Sequence, residues 1–279
     1  MKKISCLLLL LFTIITSCNK NYLDVQPVNL LTADQVFNSP EAVTAYFATL
    51  YRDLPMEDFN YQAGVFNTFP GDGNTYLANY TWESFNSNSY NGTENGGNYA
   101  SLYKAIRNVN TFLQQITTVD IPEDTKNAYS AEARFVRAYY YFGLVKYFGG
   151  VPILLEPQQF SGGTNTSELN LPRNKEAEVW DLIRSDLDFA AANLPATSAY
   201  GRANKYVALA LESRAMLHAG SIAKFGTVQL DGIVGIDPAK ANDYLKASYD
   251  ASNEIIKSNV YSLFKKYTDK AQNFEQLFI

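Results

Sequence analysis

The sequence predicts an all-α protein that is built from stacked helical hairpins with long loop insertions. Apolar residues recur every three or four positions in six separate stretches, which is the spacing that places them along one face of an α-helix. The stretches follow one another as pairs, and a single hairpin cannot bury its apolar face alone, so the pairs are expected to stack into one core. The hydrophobic content of 47% is sufficient for a core of this kind.

The first predicted hairpin joins a helix over about Pro40–Asp53 to a helix over about Tyr99–Thr117. Thr32 or Ser39 can cap the first of these helices, because a hydroxyl oxygen accepts a hydrogen bond from an N–H group of the first turn. The apolar stripe of the second helix consists of Leu102, Ala105, Ile106, Val109, Phe112, Leu113 and Ile116.

The third predicted helix lies in the most regular stretch of the chain, Ala131–Pro152. Asp120 can cap its start, and Gly149 and Gly150 are expected to end it, since glycine readily adopts the left-handed conformation found at many helix C-termini. Arg137 falls off the centre of the apolar stripe, so its guanidinium is expected to reach water or a carboxylate.

Three further helices are predicted over about Lys175–Asn193, Asn204–Lys224 and Pro238–Ser258. Asn174 is the expected cap of the fourth helix, and Pro195 follows its end. The stripe assigned to the fifth helix consists of Val207, Leu211, Ala215, His218 and Ile222.

Residues 1–17 have the features of a secretory signal peptide: a basic start followed by an apolar run that is too short to span a bilayer. The sequence Ile15-Thr16-Ser17-Cys18 matches a lipobox, which predicts that Cys18 is acylated and becomes the first mature residue. The alternative is an ordinary secretory signal that contains a cysteine by chance. Residues 18–30 are then expected to be a lipidated tether, and residues 31–279 the folded domain.

The charge of the chain argues against nucleic-acid binding. The formal net charge is −5, and removal of residues 1–17 would remove two lysines and no acidic residue. No basic run remains to neutralise phosphates, which supply most of the affinity in nucleic-acid complexes. No stretch after the signal contains 18 consecutive apolar residues, so no transmembrane helix is predicted.

The segment Tyr61–Asn98 differs from the rest of the chain, since aromatic residues are scattered in it among Asn, Gly, Ser and Thr without helical spacing. Long loops in compact domains are often functional. Aromatic faces beside short polar side chains suit a sugar, which has an apolar face and a hydroxyl rim. The predicted glycan site consists of Trp82, Tyr76, Tyr80, Tyr90, Asp72 and Asn74. The alternative for Trp82 is that it packs the loop onto the helices.

No catalytic motif is present, so the protein is not predicted to be an enzyme, and no cofactor is expected. The single histidine, His218, is interpreted as a core residue of the fifth helix. Asp181, Asp186 and Asp188 lie on one helix and are interpreted as a solvated face rather than as a glycosidase pair. No metal site is predicted, because the calcium-loop pattern that begins at Asp72 lacks the required glycine at its sixth position.

Three strings resemble the SusD/RagB family of Bacteroidetes outer-membrane nutrient-binding lipoproteins. They are YLDVQP over residues 22–27, AEARFVRAYYYFGLVKYFGGVP over residues 131–152, and RNKEAEVWDLIRSDLDFAAANLP over residues 173–195. The resemblance implies a tetratricopeptide-like scaffold. Family members are about twice as long, so we expect this sequence to be the N-terminal half of such a protein. The final Asn273–Ile279 resembles a strand of the family.

The resemblance implies a surface-exposed protein that is anchored in the outer membrane by its lipid. It would bind a polysaccharide or oligosaccharide and deliver it to a SusC-like TonB-dependent transporter. A peptide- or protein-binding helical-repeat adaptor lipoprotein is the alternative function, and an acid/base hydrolase is the third.

Overall fold

A computed structural model describes residues 40–52, 54, 99–158 and 169–277. Seven α-helices lie in these residues: α1 (Pro40–Arg52), α2 (Tyr99–Ile116), α3 (Glu123–Phe148), α4 (Glu176–Asn193), α5 (Lys205–Phe225), α6 (Ala241–Ser258) and α7 (Lys270–Leu277). Two short 3₁₀ turns, Leu230–Gly232 and Pro238–Lys240, separate α5 from α6. The all-α prediction is therefore confirmed for the described part of the chain.

The chain divides into two units, Met1–Val43 and Thr44–Ile279. Only Pro40–Val43, the first turn of α1, are described in the first unit. No helix in the described ranges is long and apolar enough to cross a bilayer.

Helices of the second unit stack in chain order, with α3 against α4, α4 against α5 and α5 against α6. Within the first predicted hairpin, Phe47 of α1 packs on Phe112 of α2 with ring centroids 4.9 Å apart. The core includes large side chains that are fully buried, among them Trp180, Tyr140, Tyr141, Phe112 and Phe142. These contacts confirm the predicted stack of helix pairs.

The end of α3 follows the sequence prediction. Gly149 has a φ of +66°, and its N–H donates to the carbonyl of Val145 at 2.9 Å. A left-handed φ of this kind strains residues that carry a Cβ, so glycine is favoured here. The start differs, because α3 begins at Glu123 after Pro122, and no side chain caps it. The prediction that Asp120 caps this helix is wrong.

The starts of α4 and α5 are only partly as predicted. Asn204, the first residue of the predicted fifth helix, is the N-cap of α5. Its Oδ1 accepts hydrogen bonds from the N–H groups of Tyr206 and Val207 at 3.0 Å. Lys175 rather than Asn174 is the N-cap of α4, and its N–H donates to Glu178 Oε2 at 3.1 Å. The resemblance to a strand near the C-terminus is wrong for residues 270–277, which form helix α7.

Helix α5 buries only part of the predicted stripe, since Leu211 and Ala215 are buried, whereas Val207 and His218 are exposed. Its buried residues are mainly small: Ala208, Ala215, Ala219, Gly220 and Ala223 are all enclosed. The reason is close packing, since a Cβ added to Gly220 would lie 2.7 Å from the Leu245 side chain of α6. His218 therefore faces outward and is exposed, and its ring stacks on the buried Trp180 at 5.4 Å. The interpretation of His218 as a core residue is wrong.

Helices α4, α5 and α6 surround a polar cavity of about 310 Å³. Glu212 of α5 is buried at its wall. Burial, and next the negative charge of Asp188, raise the pKa of Glu212 from an ordinary 4.5 to about 8. The other charged groups of the wall are Arg184 and Asp188 from α4, Lys205 from α5, and Asp250 and Glu254 from α6. At neutral pH, the folded protein therefore holds a proton on Glu212 that the unfolded chain releases.

We expect Glu212→Gln to flatten the pH dependence of stability. Because its folded-state pKa lies above the unfolded value, the contribution of Glu212 to stability is fully present below about pH 4.5 and is lost as the pH rises toward about 8. Glutamine keeps a hydrogen-bond donor at this position but does not titrate. The variant should raise the melting temperature at pH 8 by roughly 2–8 °C and leave it nearly unchanged at pH 4.5. Calorimetry across this range checks the result, with the exposed Glu275→Gln as control. Parallel profiles for wild type and Glu212→Gln would contradict the prediction.

Candidate functional site

A cavity of about 460 Å³ lies between one face of α2 and the extended chain that follows α3. Its α2 residues are spaced so that they share one side of the helix, opposite the buried stripe. The cavity is lined by Tyr99, Ala100, Tyr103, Lys104, Arg107, Pro152, Leu154, Gln158, Leu169, Asn170 and Leu171. The lining thus combines two aromatic rings, aliphatic side chains and two cations.

The two tyrosines present ring surface at this cavity. Their ring centroids lie 4.8 Å apart, and Tyr99 also meets the ring of Phe148 edge-on at 5.1 Å. Tyr99 is 37% exposed, so part of its ring is available to a ligand. The Tyr103 hydroxyl donates to the Pro152 carbonyl at 2.6 Å. Burial, and next the neighbouring Tyr99, raise the pKa of Tyr103, so this hydroxyl stays protonated and remains a donor.

Side chains of the helices hold the extended wall of the cavity in place. The Leu154 N–H donates to the Tyr141 hydroxyl at 2.7 Å, and the Leu154 carbonyl accepts from Asn110 Nδ2 at 2.8 Å. Asn174 Oδ1 accepts from the N–H of Ile153 at 2.9 Å. Arg173 donates to the carbonyls of Gly150, at 2.7 Å, and of Phe148. A wall without regular secondary structure is thereby fixed by a set of directed hydrogen bonds.

A buried ion pair is connected to this wall through Asn110. Arg137 of α3 donates through Nε and Nη2 to both carboxylate oxygens of Asp186 on α4, at 2.7 and 2.8 Å. Its third contact is from Nη1 to Asn110 Oδ1 at 2.9 Å, and Asn110 in turn holds Leu154. Arg137 is 6% exposed and Asp186 1% exposed. The expectation that Arg137 reaches a carboxylate is confirmed, whereas the interpretation of Asp186 as part of a solvated face is wrong.

The other two aspartates of that predicted face do lie near the surface. Asp181 accepts from Lys240 Nζ and from the Tyr244 hydroxyl, both at 2.6 Å. Asp188 is 3.8 Å from Arg184 and its side chain is 57% exposed. No group of three or more His, Cys, Asp or Glu residues is placed to hold a metal ion within the ranges that the structure describes.

The site residues predicted from the sequence, Trp82, Tyr76, Tyr80, Tyr90, Asp72 and Asn74, all lie outside the described residues, as does Cys18. Their roles stay predictions. Tyr99 and Tyr103 are not among the residues predicted for the site, because both fall within the predicted second helix. The available signal was their spacing of four, which places two tyrosines on one side of a helix whose apolar stripe lies on the other.

Comparison with known proteins gives the family. Residues 21–217 match the SusD-like family model, which is described as "Starch-binding associating with outer membrane". This match covers well over half of the chain. The chain belongs to the SusD-like family.

Curated relatives agree with this assignment. A SusD-like protein of Bacteroides ovatus is 26% identical over 206 residues, which are 72% of this chain and 36% of that protein. A SusD-like protein of Formosa agariphila is 25% identical over 205 residues, which are 71% of this chain and 39% of that protein. The chain thus spans less than two fifths of the length of these SusD-like relatives.

Solved structures support the fold. The crystal structure of a SusD-like protein from Bacteroides fragilis superposes with a TM-score of 0.59 at 22% identity, covering 86% of this chain and 42% of that one. A second structure from the same species, described as a SusD-like carbohydrate binding protein, gives a TM-score of 0.50 at 22% identity and covers 81% of this chain. At this level of identity the likeness shows that the helical scaffold is shared.

SusD-like binding proteins are non-catalytic, in agreement with the sequence prediction.

Proposed function

We propose that this chain binds a polysaccharide or oligosaccharide at the cell surface and delivers it to a SusC-like TonB-dependent outer-membrane transporter. The family description, starch binding with association to the outer membrane, supports the binding of a glycan and a location at that membrane, while delivery to the transporter is what the family resemblance implies. Anchoring through an acylated Cys18 is part of the same proposal, and it rests on the lipobox. The function is capture and transfer, with no bond broken.

The observation that carries the binding step is the partly exposed ring of Tyr99 at an open cavity beside Tyr103. A sugar ring can stack its C–H face on such a ring while its hydroxyls reach polar groups at the edge. A few contacts of this kind correspond to a dissociation constant of ~1 mM to ~1 μM. Many anchored copies that face one polymer add avidity, which suits capture of a polysaccharide.

We expect Tyr99→Ala to weaken glycan binding about threefold to tenfold, because it removes one stacking surface worth roughly 0.7–1.4 kcal/mol. Retardation of the protein in native gels loaded with a panel of polysaccharides measures this effect. Tyr249→Ala is the matched control, since Tyr249 is 66% exposed on α6 and does not line the cavity.

The same gels test the sequence-predicted loop through Trp82→Ala. Loss of binding in both Tyr99→Ala and Trp82→Ala would assign one continuous site to the cavity and the loop. Loss in Trp82→Ala alone would place the site in the loop and remove the cavity from it. If no polysaccharide retards the folded wild type, the glycan proposal for this chain is wrong.

A further inference from the structure

The cavity described above has an unusual distribution of charge for this protein. Lys104 and Arg107 lie on its α2 wall and both are exposed. None of the described residues that line it is acidic. The chain as a whole carries an excess of acids, with a formal net charge of −5. The cavity is therefore a locally positive surface on an acidic protein.

Lys104 and Arg107 differ in their ion pairing from three cations of the α4–α6 region. There, Arg184 pairs with Asp243 at 2.8 Å, Lys205 with Glu254 at 2.6 Å and Lys240 with Asp181 at 2.6 Å. Neither Lys104 nor Arg107 has an ion-pair partner among the residues that the structure describes. Their charges are thus not neutralised by the neighbouring helices of the fold.

A third cation, Arg173, adds to the positive potential near Tyr103 without lining the cavity. Arg173 acts on Tyr103 electrostatically, in the direction that lowers the pKa of that hydroxyl. Its guanidinium donates to the carbonyls of Gly150 and Phe148, so its role is structural, but its charge is uncompensated by a carboxylate in these contacts.

The order of the groups along α2 fits an extended ligand. Tyr99, Lys104 and Arg107 follow one another over about 12 Å of helix axis, at a rise of about 1.5 Å per residue. A sugar ring stacked at Tyr99 would place its neighbours beside the two cations. Arginine binds carboxylate or sulfate oxygens through paired N–H groups, and lysine binds them as a point charge.

We infer that the glycan bound in this cavity is anionic, with uronate carboxylates or sulfate esters that Lys104 and Arg107 contact. This inference rests on the proposed function, because it names the ligand class of the same site. A neutral glycan has no group that could form an ion pair with these two cations, whereas an acidic glycan would neutralise them.

The test uses matched pairs of ligands and isothermal titration calorimetry on the purified protein. One pair is an oligogalacturonide and its carboxyl-reduced neutral counterpart, and the other is a sulfated galactan oligosaccharide and its desulfated counterpart. We expect an acidic member to bind at least tenfold more tightly than its neutral counterpart, and we expect this preference to shrink between about 50 and 300 mM salt as screening increases. The pair that shows the preference identifies carboxylate or sulfate as the recognised group.

The variants separate a specific contact from general attraction. Lys104→Gln/Arg107→Gln should lose at least tenfold in affinity for the acidic ligand and little for the neutral one. Lys257→Gln/Lys265→Gln removes the same charge from exposed positions outside the cavity and should bind like the wild type. All three proteins should melt within a few degrees of one another, since the substituted side chains are exposed.

The outcomes distinguish this inference from the proposed function. If the neutral members bind as tightly as the acidic ones, or if Lys104→Gln/Arg107→Gln keeps the acidic preference, the inference is wrong and glycan binding stands. If neither these ligands nor the polysaccharide panel bind the wild type, both are wrong.

Discussion

Replacing Arg137 by methionine is expected to lower the free energy of unfolding by about 3–5 kcal/mol. The substitution removes a buried guanidinium and leaves the carboxylate of Asp186, which is 1% exposed, without its bidentate partner. An uncompensated buried charge is far more costly than the loss of the pair as a whole. For a folded domain of about 250 residues, the melting temperature should fall by roughly 6–20 °C.

Two further variants make this result specific. Arg134→Met, on the same helix, removes a guanidinium that lies 4.1 Å from the centre of the Phe189 ring and should cost only about 0.5–1 kcal/mol. Arg137→Met/Asp186→Leu removes both charges and should recover most of the loss. Urea denaturation of the four proteins provides the measurement. Equal losses for Arg137→Met and Arg134→Met would contradict the expectation that a buried Asp186 carboxylate without its partner is strongly destabilising.

The same ion pair should also affect the candidate site. Arg137 holds Asn110, and Asn110 holds the carbonyl of Leu154 in the cavity wall. Amide hydrogen exchange in the segment 151–155 should therefore be faster in Arg137→Met than in Arg134→Met.

Replacing Gly150 by alanine is expected to lower the free energy of unfolding by about 3 kcal/mol or more. A Cβ at this position would lie 2.0 Å from the backbone oxygen of Asn174 and 2.9 Å from the backbone nitrogen of Glu176. These are main-chain atoms at the start of α4, so they cannot move aside as the end of a flexible side chain would. Insertion of atoms into a packed interior typically costs about 1–3 kcal/mol, and the rigid neighbours place this case at or above the upper end.

Gly201→Ala is an informative comparison for Gly150→Ala. Gly201 has a φ of +81° and open space within 4 Å of an added Cβ, so its substitution tests backbone conformation without a steric clash. Gly201→Ala should lower the free energy of unfolding by about 1–2 kcal/mol. Urea midpoints of the two variants should differ clearly, with Gly150→Ala the less stable. The reverse order would mean that the turn after α3 adjusts more easily than its contacts indicate.

Much of the fold could be predicted from local patterns. The helix bounds agree to within a few residues, because apolar spacing and the Gly149–Gly150 pair act over one or two turns. The faces that the helices bury were less predictable. Helix α5 buries several alanines, and Gly220 packs against Leu245, whereas the larger Val207 and Leu217 remain exposed. The decisive factor is the distance to the neighbouring helices, and one sequence does not contain it.

The candidate site was less predictable than the fold. The composition of the segment 61–98 indicated aromatic sugar contacts, and those residues stay a prediction. The cavity at Tyr99 and Tyr103 could not be derived in the same way, because its opposite wall comes from Pro152, Leu154 and residues near 170. Residues from three separate parts of the chain must meet before a cavity exists.

The helical class, the order of the helix pairs and the family could all be derived from the amino-acid sequence, because they follow from periodic patterns and from strings of more than twenty residues. Three-dimensional packing was needed to show that Asp186 is a buried partner of Arg137 and that His218 lies outside the core. It was also needed to show that Lys104 and Arg107, which have no ion-pair partner among the described residues, follow the partly exposed Tyr99 along the cavity wall. The physical reason is that burial and charge compensation depend on neighbours that are distant in the chain. Arg137 and Asp186 are 49 residues apart, and only the packing of α3 on α4 brings them together.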